Sequence, residues 1–242
     1  MLIYPAVDLR GGVCVRLLQG RFDAVTAYDD DPRARLESFA AAGASWAHVV
    51  DLDGAEAGAA RQHALIGHLA RATGLKVQAG GGVRSRDDVA ALLDAGLSRV
   101  VVGSAAVRRP DEVVGWLGEF GAERIALALD VRVDGPEPEV AAHGWTEASG
   151  VSLWAALDAL DAGGPKHLLV TDVARDGALA GPNLPLVREI RARRPELSLQ
   201  ASGGVRSLAD LADLRALGAT GAIVGKALYE GLFRLEDALR AG

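Results

Sequence analysis

The segment Leu75–Val107 reads LKVQAGGGVRSRDDVAALLDAGLSRVVVGSAAV, and a related segment, LSLQASGGVRSLADLADLRALGATGAIVGKALY, occupies Leu197–Tyr229. The two align at a constant shift of 122 positions, which superposes the motif GGVRS at Gly81 on the same motif at Gly203. IYPAVDLR, ending at Arg10, aligns with IALALDVR at that same shift, and VVDLDGA matches VTDVARDGA at a shift of 121. Landmarks repeated in one order indicate a duplicated chain, with halves of about 1–122 and 123–242.

Each half contains four short apolar runs of the length expected for buried strands. The runs are Leu2–Val7, Ala47–Val50, Lys76–Ala79, Arg99–Val102, Ile125–Leu129, His167–Thr171, Leu199–Ala201 and Ala222–Val224. Helical patterns separate them, such as Ser85–Ala95, with Ser85 and its repeat mate Ser207 at N-cap positions. Eight such units predict a single (β/α)8 TIM barrel of the α/β class over residues 1–242. An open doubly wound sheet is the alternative, but it leaves the likeness of the two halves unexplained.

The composition narrows the possible partners. Hydrophobic residues make up 50% of the chain, which is enough to bury a sizeable core. The net charge of −6 argues against nucleic-acid and anionic membrane partners, and no apolar run approaches the length of a membrane span. The single cysteine, Cys14, excludes an intramolecular disulfide and a cysteine metal cluster. We therefore expect a cytoplasmic protein without a metal.

Glycine-rich strand ends predict phosphate sites, because loops after strands 7 and 8 of such barrels often bind phosphate. The residues concerned are Gly203, Gly204, Gly225 and Lys226, and the repeat adds Gly81, Gly82, Gly103 and Ser104 after strands 3 and 4. Helix N-termini beside them can offer free N–H groups to an anion. One alternative is that a single pair of glycines only forms a tight turn between strand and helix. Another is that only one of the two phosphate sites is in use and that the other is a relic of the duplication. Two pairs on opposite sides of the barrel mouth predict a small-molecule substrate with a phosphate at each end.

Two aspartates, Asp8 and Asp130, follow the apolar runs of strands 1 and 5 and so face each other across the predicted mouth. Either one alone could cap a helix or hold a loop. As a facing pair between phosphate sites they predict a general acid and a general base, although the residues do not say which is which. Asp51 and Asp172 form a second symmetric pair. The competing interpretation of Asp172 is a structural one, in which it begins an Asx-turn that ends at Gly177.

Six side chains are predicted to position the substrate: Thr171, Asp176, Trp145, His48, Arg16 and Gln19. A satisfied core histidine is the alternative for His48. Trp145 lies with His143 in the long connection 132–149, a candidate lid, and its ring could stack on a flat part of the substrate or anchor the loop. Arg16 and Gln19 lie in the other long connection, 10–30, and could reach a phosphate.

The motifs IYPAVDLR, HVVDLDGA, QAGGGVRS, GSAAV, GWTE, TDVARDGALAGPN, ASGGVRS and VGKALYEG span nearly the whole chain. Together they resemble the HisA family of histidine-biosynthesis isomerases. Members of that family convert ProFAR, a phosphoribosylformimino aminoimidazole carboxamide ribotide with a phosphate at each end, into its ribulosyl isomer. The resemblance implies an Amadori rearrangement that needs no metal or redox cofactor. No sequence feature demands an obligatory protein partner.

The resemblance also implies roles for individual residues. The aspartate matching Asp130 donates the proton that opens the ribose ring, and the one matching Asp8 removes the C2′ proton. Arg84 would contact the phosphate side of its loop, and the glycine-rich strand ends fall on family phosphate loops.

Two relatives of that family are the main alternatives. The cyclase of the next pathway step has a lysine in place of Arg16 and a serine in place of Asp172. Dual-substrate isomerases carry GWETDGG where this chain has GWTEASG, so we expect activity on phosphoribosyl anthranilate to be absent or very weak. A non-catalytic phosphate-binding module on the same fold is the competing class of protein.

Overall fold

The computed structural model describes residues 1–18, 21–29, 31–59, 61–142, 145 and 147–242, and the side chains of 16–18, 21–25, 27, 29, 142, 147 and 148 lie outside that description. Its strands are β1 Leu2–Arg10, β2 Val13–Leu18, β3 Arg21–Asp29, β4 Trp46–Asp51, β5 Lys76–Gly80, β6 Arg99–Val102, β7 Ile125–Arg132, β8 Glu139–Ala142, β9 Glu147–Ser152, β10 His167–Asp172, β11 Ser198–Ser202 and β12 Gly221–Val224. Its helices are α1 Pro32–Ala41, α2 Leu52–Ala57, α3 His63–Thr73, α4 Arg86–Asp94, α5 Ser104–Arg108, α6 Pro110–Phe120, α7 Leu153–Leu160, α8 Leu184–Arg193, α9 Leu208–Ala216, α10 Lys226–Tyr229 and α11 Leu235–Ala241.

Eight parallel strands close into a barrel in the order β1-β4-β5-β6-β7-β10-β11-β12, and β12 pairs back onto β1. These strands coincide with the eight apolar runs, so the predicted (β/α)8 fold is confirmed. Several strands extend further than predicted at their carboxyl ends, as β1 does to Arg10 and β7 to Arg132. Because side chains alternate along a strand, Tyr4, Ala6 and Asp8 lie on one face of β1, toward the barrel interior.

The main apolar core lies between the barrel wall and the surrounding helices. Helix α4 shows how the sequence builds this layer, because its buried residues Val89, Leu92 and Leu93 form one stripe. Ser85 caps α4 in a capping box with Asp88, and Ser207 does the same for α9 with Asp210, so both predicted N-caps are confirmed. The repeat thus extends to local hydrogen bonding. Among the described residues, no helix is long and apolar enough to cross a membrane.

The two long connections contain strands in the parts that the structure describes, which were not predicted from the sequence. After β1, strands β2 and β3 continue as antiparallel partners, and after β7, strands β8 and β9 do the same. The physical reason is that an antiparallel ladder satisfies backbone groups that a long loop would leave unpaired. Both ribbons follow equivalent strands of the two halves, so the repeat extends to them as well.

Asp51 and Asp172 organise loops at the carboxyl ends of β4 and β10. The Asp51 carboxylate is fully buried and accepts hydrogen bonds from the main-chain N–H groups of Gly54, Arg61 and Gln62, at 2.8–2.9 Å. It also accepts from the Gln62 side chain at 3.1 Å. Asp172 accepts from the N–H of Ala174 two residues on, so it does form an Asx-turn, but one that closes at Ala174 and not at Gly177.

Removal of the Asp51 carboxylate should destabilise the fold severely. Asp51→Ala leaves three backbone donors unsatisfied in a buried site, which should lower the free energy of unfolding by about 3 kcal/mol or more. Asp51→Asn should lose less, because its amide oxygen can still accept. Urea unfolding followed by circular dichroism measures the change. Asp87→Ala is the matched control, since the Asp87 side chain is 89% exposed. Equal midpoints for the Asp51→Ala and Asp87→Ala proteins would contradict this role for Asp51.

Candidate active site

A cavity of about 930 Å³ opens at the carboxyl ends of the barrel strands. Its volume lies at the upper end of the range of about 300–1,000 Å³ that is typical of pockets for small-molecule ligands. All eight barrel strands or the loops that follow them contribute to its lining, through Asp8, His48, Gly81, Gly82, Gly103, Asp130, Thr171, Gly203, Gly204, Gly225 and Lys226 among others. This is the end of the barrel where such folds place their binding sites.

Asp8 and Asp130 line this cavity from opposite sides. Asp8 lies on β1 and Asp130 on β7, which are four strands apart around the closed eight-stranded barrel. Both residues are largely surrounded by protein and line the cavity, so each can meet a ligand there. The arrangement suits proton transfer at two faces of one substrate.

The surroundings of Asp130 favour its protonated form. Burial raises the pKa of Asp130 above the ordinary aspartate value, and hydrogen bonds from Trp145 and Thr171 offset part of that rise. Thr171 lies directly beside Asp130 in the pairing of β10 with β7, and the Trp145 indole N–H donates to Asp130 Oδ2 at 2.8 Å. A carboxyl group that holds its proton closer to neutral pH is suited to act as a general acid.

Trp145 itself is fixed by a neighbour of Asp130. The Arg132 guanidinium donates to the main-chain oxygen of Trp145, whose backbone is left-handed with φ of 72°. The indole therefore lies in the cavity wall as a hydrogen-bond donor, a role that the ring-stacking interpretation did not include. No role for Arg132 was predicted from the sequence. Its alignment with Arg10 at the shift of 122 was the feature from which a role could have been predicted.

We expect the Trp145→Phe substitution to change the pH dependence of catalysis. The lost indole N–H stabilises the ionised form of Asp130, so its removal should raise the pKa of Asp130 further. In the rate profile, the limb where activity falls as the pH rises should then move to higher pH. The substitution should also lower kcat by about tenfold, as expected for the loss of one hydrogen bond to a charged group. Trp116→Phe is the control, because Trp116 is buried on α6 and does not line the cavity. Unchanged profiles in both proteins would show that the indole does not tune Asp130.

The glycine-rich loops have matching geometry in the two halves. Gly82 has φ of 74° and Gly204 has φ of 87°, a left-handed backbone that favours glycine. A side chain on Gly82 would approach the carbonyl carbon of Ala59 to 2.7 Å, and one on Gly204 would overlap the carbonyl oxygen of Gly181. Tight turns therefore explain part of the need for glycine, and the same residues line the cavity.

Helix N-termini contribute to these loops unequally. At α4 and α9, the caps Ser85 and Ser207 accept from the N–H groups of Asp88 and Asp210, so these two N–H groups are not available to an anion. At α5 and α10, which follow Gly103 and Gly225, the described structure has no side-chain cap hydrogen bond. The contribution of the other first-turn N–H groups to anion binding stays a prediction.

Several other predicted residues line the cavity, among them Ser104, Arg84, Asp176 and Lys226. The Lys226 ammonium donates to the carbonyl oxygen of Gly177 at 2.9 Å, which joins the end of β12 to the loop after β10. Arg108, on α5, also lines the cavity and was not predicted. Gln19 and His143 lie outside the described residues, as does the side chain of Arg16, whose backbone belongs to β2.

The fold and this site define a class of protein: a duplicated (β/α)8 barrel with one pair of glycine-rich loops in each half and two carboxylates between them. The family model described as "Histidine biosynthesis protein" matches residues 2–234, and the chain belongs to that family. A protein of Stenotrophomonas maltophilia (strain R551-3) is 54% identical over 239 residues, which cover 98% of each chain. A protein of Xanthomonas euvesicatoria pv. vesicatoria (strain 85-10) is 52% identical over 238 residues, again 98% of each. Both are named 1-(5-phosphoribosyl)-5-((5-phosphoribosylamino)methylideneamino) imidazole-4-carboxamide isomerase.

Proposed function

We propose that the chain is the isomerase of histidine biosynthesis that converts ProFAR into the corresponding aminoketose. ProFAR is the aminoaldose that appears in the name of the two relatives. The observation that carries the proposal is the placement of Asp8 and Asp130 on opposed strands of one cavity. Identity above 50% with proteins of that name, over 98% of both chains, supports it.

In the first step, Asp130 gives its proton to the ring oxygen of the aminoribose. The C1′–O bond breaks as the nitrogen lone pair forms a C=N bond, which leaves an open-chain protonated imine. The raised pKa of Asp130 supports this role, because a protonated carboxyl group must be available at the start of the cycle. Trp145 and Thr171 then stabilise the carboxylate that forms.

In the second step, Asp8 takes the proton from C2′. The electrons of the C–H bond form a C1′=C2′ double bond, and the imine nitrogen becomes an enolamine nitrogen. Protonation at C1′ and loss of the proton from the C2′ hydroxyl give the ketose. The substrate and product have the same atoms, so the reaction consumes no redox cofactor and no second substrate, and proton transfers by Asp130 and Asp8 account for both steps.

Both ends of the substrate carry phosphate, and the two glycine loop pairs support a grip at each end. Gly81, Gly82, Gly103 and Ser104 would hold one phosphate, with Arg84 beside them. Gly203, Gly204, Gly225 and Lys226 would hold the other. Asp176 and His48 line the cavity between these ends and would contact the sugar and its linkage. We also propose a cytoplasmic enzyme without an obligatory protein partner.

The function is tested by incubating purified protein with ProFAR alone, without added ammonia or a second protein. Conversion to the ribulosyl isomer supports the proposal. A folded protein that binds ProFAR without converting it would be a binding module. Consumption of the ribulosyl isomer with ammonia, without conversion of ProFAR, would identify the cyclase.

A further inference from the structure

A cluster of polar side chains lies inside the barrel, beneath the cavity floor. Its members are His48, Gln78, Arg99 and Gln200, and none is more than 7% exposed. Burial of polar groups is costly unless their hydrogen bonds are satisfied. Gln78 lies at the centre, because it contacts each of the other three.

Arg99 determines how the amide of Gln78 is oriented. The guanidinium Nη1 donates to Gln78 Oε1 at 3.1 Å and to the Tyr4 hydroxyl at 3.3 Å. Arginine has no acceptor atom, so the Gln78 atom beside it must be the oxygen. Arg99 is itself held by the carbonyl oxygen of Glu123 at 3.1 Å and by the Trp46 ring, whose centroid lies 4.6 Å from the guanidinium carbon. The orientation of the Gln78 amide therefore follows from the donor and acceptor chemistry of its neighbours.

The oriented amide in turn determines where His48 carries its proton. Gln78 Nε2 lies 2.7 Å from Gln200 Oε1 and 3.1 Å from His48 Nδ1, which uses one amide hydrogen for each contact. Since Nε2 of Gln78 can only donate, His48 Nδ1 must accept. The ring is then neutral, with its proton on Nε2. A protonated ring would place two donors face to face at Nδ1.

We infer that Gln78, oriented by Arg99, is a positioning residue that holds His48 as a neutral Nε2–H donor toward the substrate. The inference rests on the proposed isomerase function, because His48 lines the same cavity as Asp8. His48 lies on β4, the strand that pairs with β1, where Asp8 lies. A positive charge there would attract the Asp8 carboxylate and weaken it as a base, whereas a neutral donor can bind a substrate oxygen without that effect.

The repeat provides an internal comparison. Gln200 is the repeat mate of Gln78, and the two amides exchange hydrogen bonds in both directions. The mate of Arg99 is Gly221 and that of His48 is Leu169. The second half therefore has the glutamine but neither the arginine nor the histidine that contacts Gln78 in the first half. Gln200 thus shares the burial of Gln78 and its place in the cluster, but the arginine and histidine of the cluster belong to the first half.

The decisive variant is Gln78→Glu, which keeps the acceptor toward Arg99 and replaces the donor toward His48 with a second acceptor. The matched control is Gln200→Glu, which leaves the amide of Gln78 in place. Nitrogen-15 NMR of labelled histidine reports which ring nitrogen carries the proton. The chain has five histidines, so the signal of His48 is assigned by its loss in His48→Asn. Kinetics with ProFAR and thermal unfolding complete the set.

We expect Nδ1 of His48 to be unprotonated in the wild-type and Gln200→Glu proteins and protonated in Gln78→Glu. The Gln78→Glu protein should also lose about tenfold in kcat/KM, comparable to one hydrogen bond in the transition state, while Gln200→Glu loses much less. Should Gln78→Glu fail to fold, Gln78→Met removes the donor without adding charge and should populate both tautomers.

An unprotonated Nδ1 in Gln78→Glu, or equal NMR changes in both glutamate variants, would overturn the inference. A changed tautomer with unchanged kcat/KM would overturn the role in the reaction. If the wild-type protein does not turn over ProFAR, the proposed function fails, and the NMR comparison still tests the link between Gln78 and His48.

Discussion

Replacement of Asp130 by asparagine should lower kcat by about 10³-fold, because a positioned general acid typically contributes 10²–10⁴-fold. Asparagine keeps the size of the side chain and an acceptor for the Trp145 indole, so binding of the substrate should change little. The pH dependence should change as well. In the wild-type enzyme, activity should be lost as the pH rises through the raised pKa of Asp130, and this limb should disappear in Asp130→Asn.

Asp8→Asn should lower kcat by a similar factor for the opposite reason, since the amide cannot accept the C2′ proton. The Asp130→Asn and Asp8→Asn proteins should therefore lose opposite limbs of the pH profile. Steady-state kinetics and equilibrium binding of ProFAR separate catalysis from binding. Asp94→Asn is the control, because Asp94 is exposed at the end of α4. An Asp8→Asn or Asp130→Asn protein that retains most of the wild-type kcat would contradict the acid–base assignment.

The glycine loops should show the second largest effect. Gly204→Ala introduces a side chain where the backbone is left-handed and where Gly181 leaves no room, so the loop must shift. Loss of one or two charge-assisted hydrogen bonds to a phosphate should raise KM by about 10- to 100-fold with a smaller change in kcat. Gly82→Ala should do the same at the other end of the substrate.

A glycine away from the cavity separates strain from phosphate binding. Gly74 has φ of 69°, and a side chain there would meet nothing within 4 Å. Gly74→Ala should lower the free energy of unfolding but leave KM unchanged.

Substrate analogues that lack one phosphate report on each loop separately. Gly204→Ala should raise KM less for an analogue without the phosphate that this loop binds. A raised KM in only one of the two loop variants would indicate that the other loop is a relic of the duplication.

The barrel and the facing aspartates could be predicted because both depend on the internal repeat. A constant shift relates Asp8 to Asp130, and the carboxyl ends of parallel strands meet at one mouth, so the pattern alone predicts one site. The β ribbons after β1 and β7 could not be predicted in the same way. Their pairing depends on contacts between strands, and the pattern of short apolar runs predicts only the barrel wall.

The contact between Trp145 and Asp130 also depends on loop conformation. It joins residues 15 apart through a left-handed backbone at Trp145, which no periodic pattern indicates for a tryptophan. Gln78 is a different case, because a signal was present: a glutamine inside a buried apolar strand, repeated at Gln200. A buried polar residue needs a hydrogen-bond partner. The repeat indicated Gln200 as a partner for Gln78, and the two amides do bond to each other.

The most direct test of the proposed function compares wild-type protein with Asp8→Asn in the presence of ProFAR alone. Because the product has the mass of the substrate, the two are separated by chromatographic retention and then identified by mass. We predict that the wild-type protein forms the ribulosyl isomer and that Asp8→Asn, though folded and able to bind ProFAR, forms almost none. No conversion by folded wild-type protein, or equal conversion by both, would contradict the account.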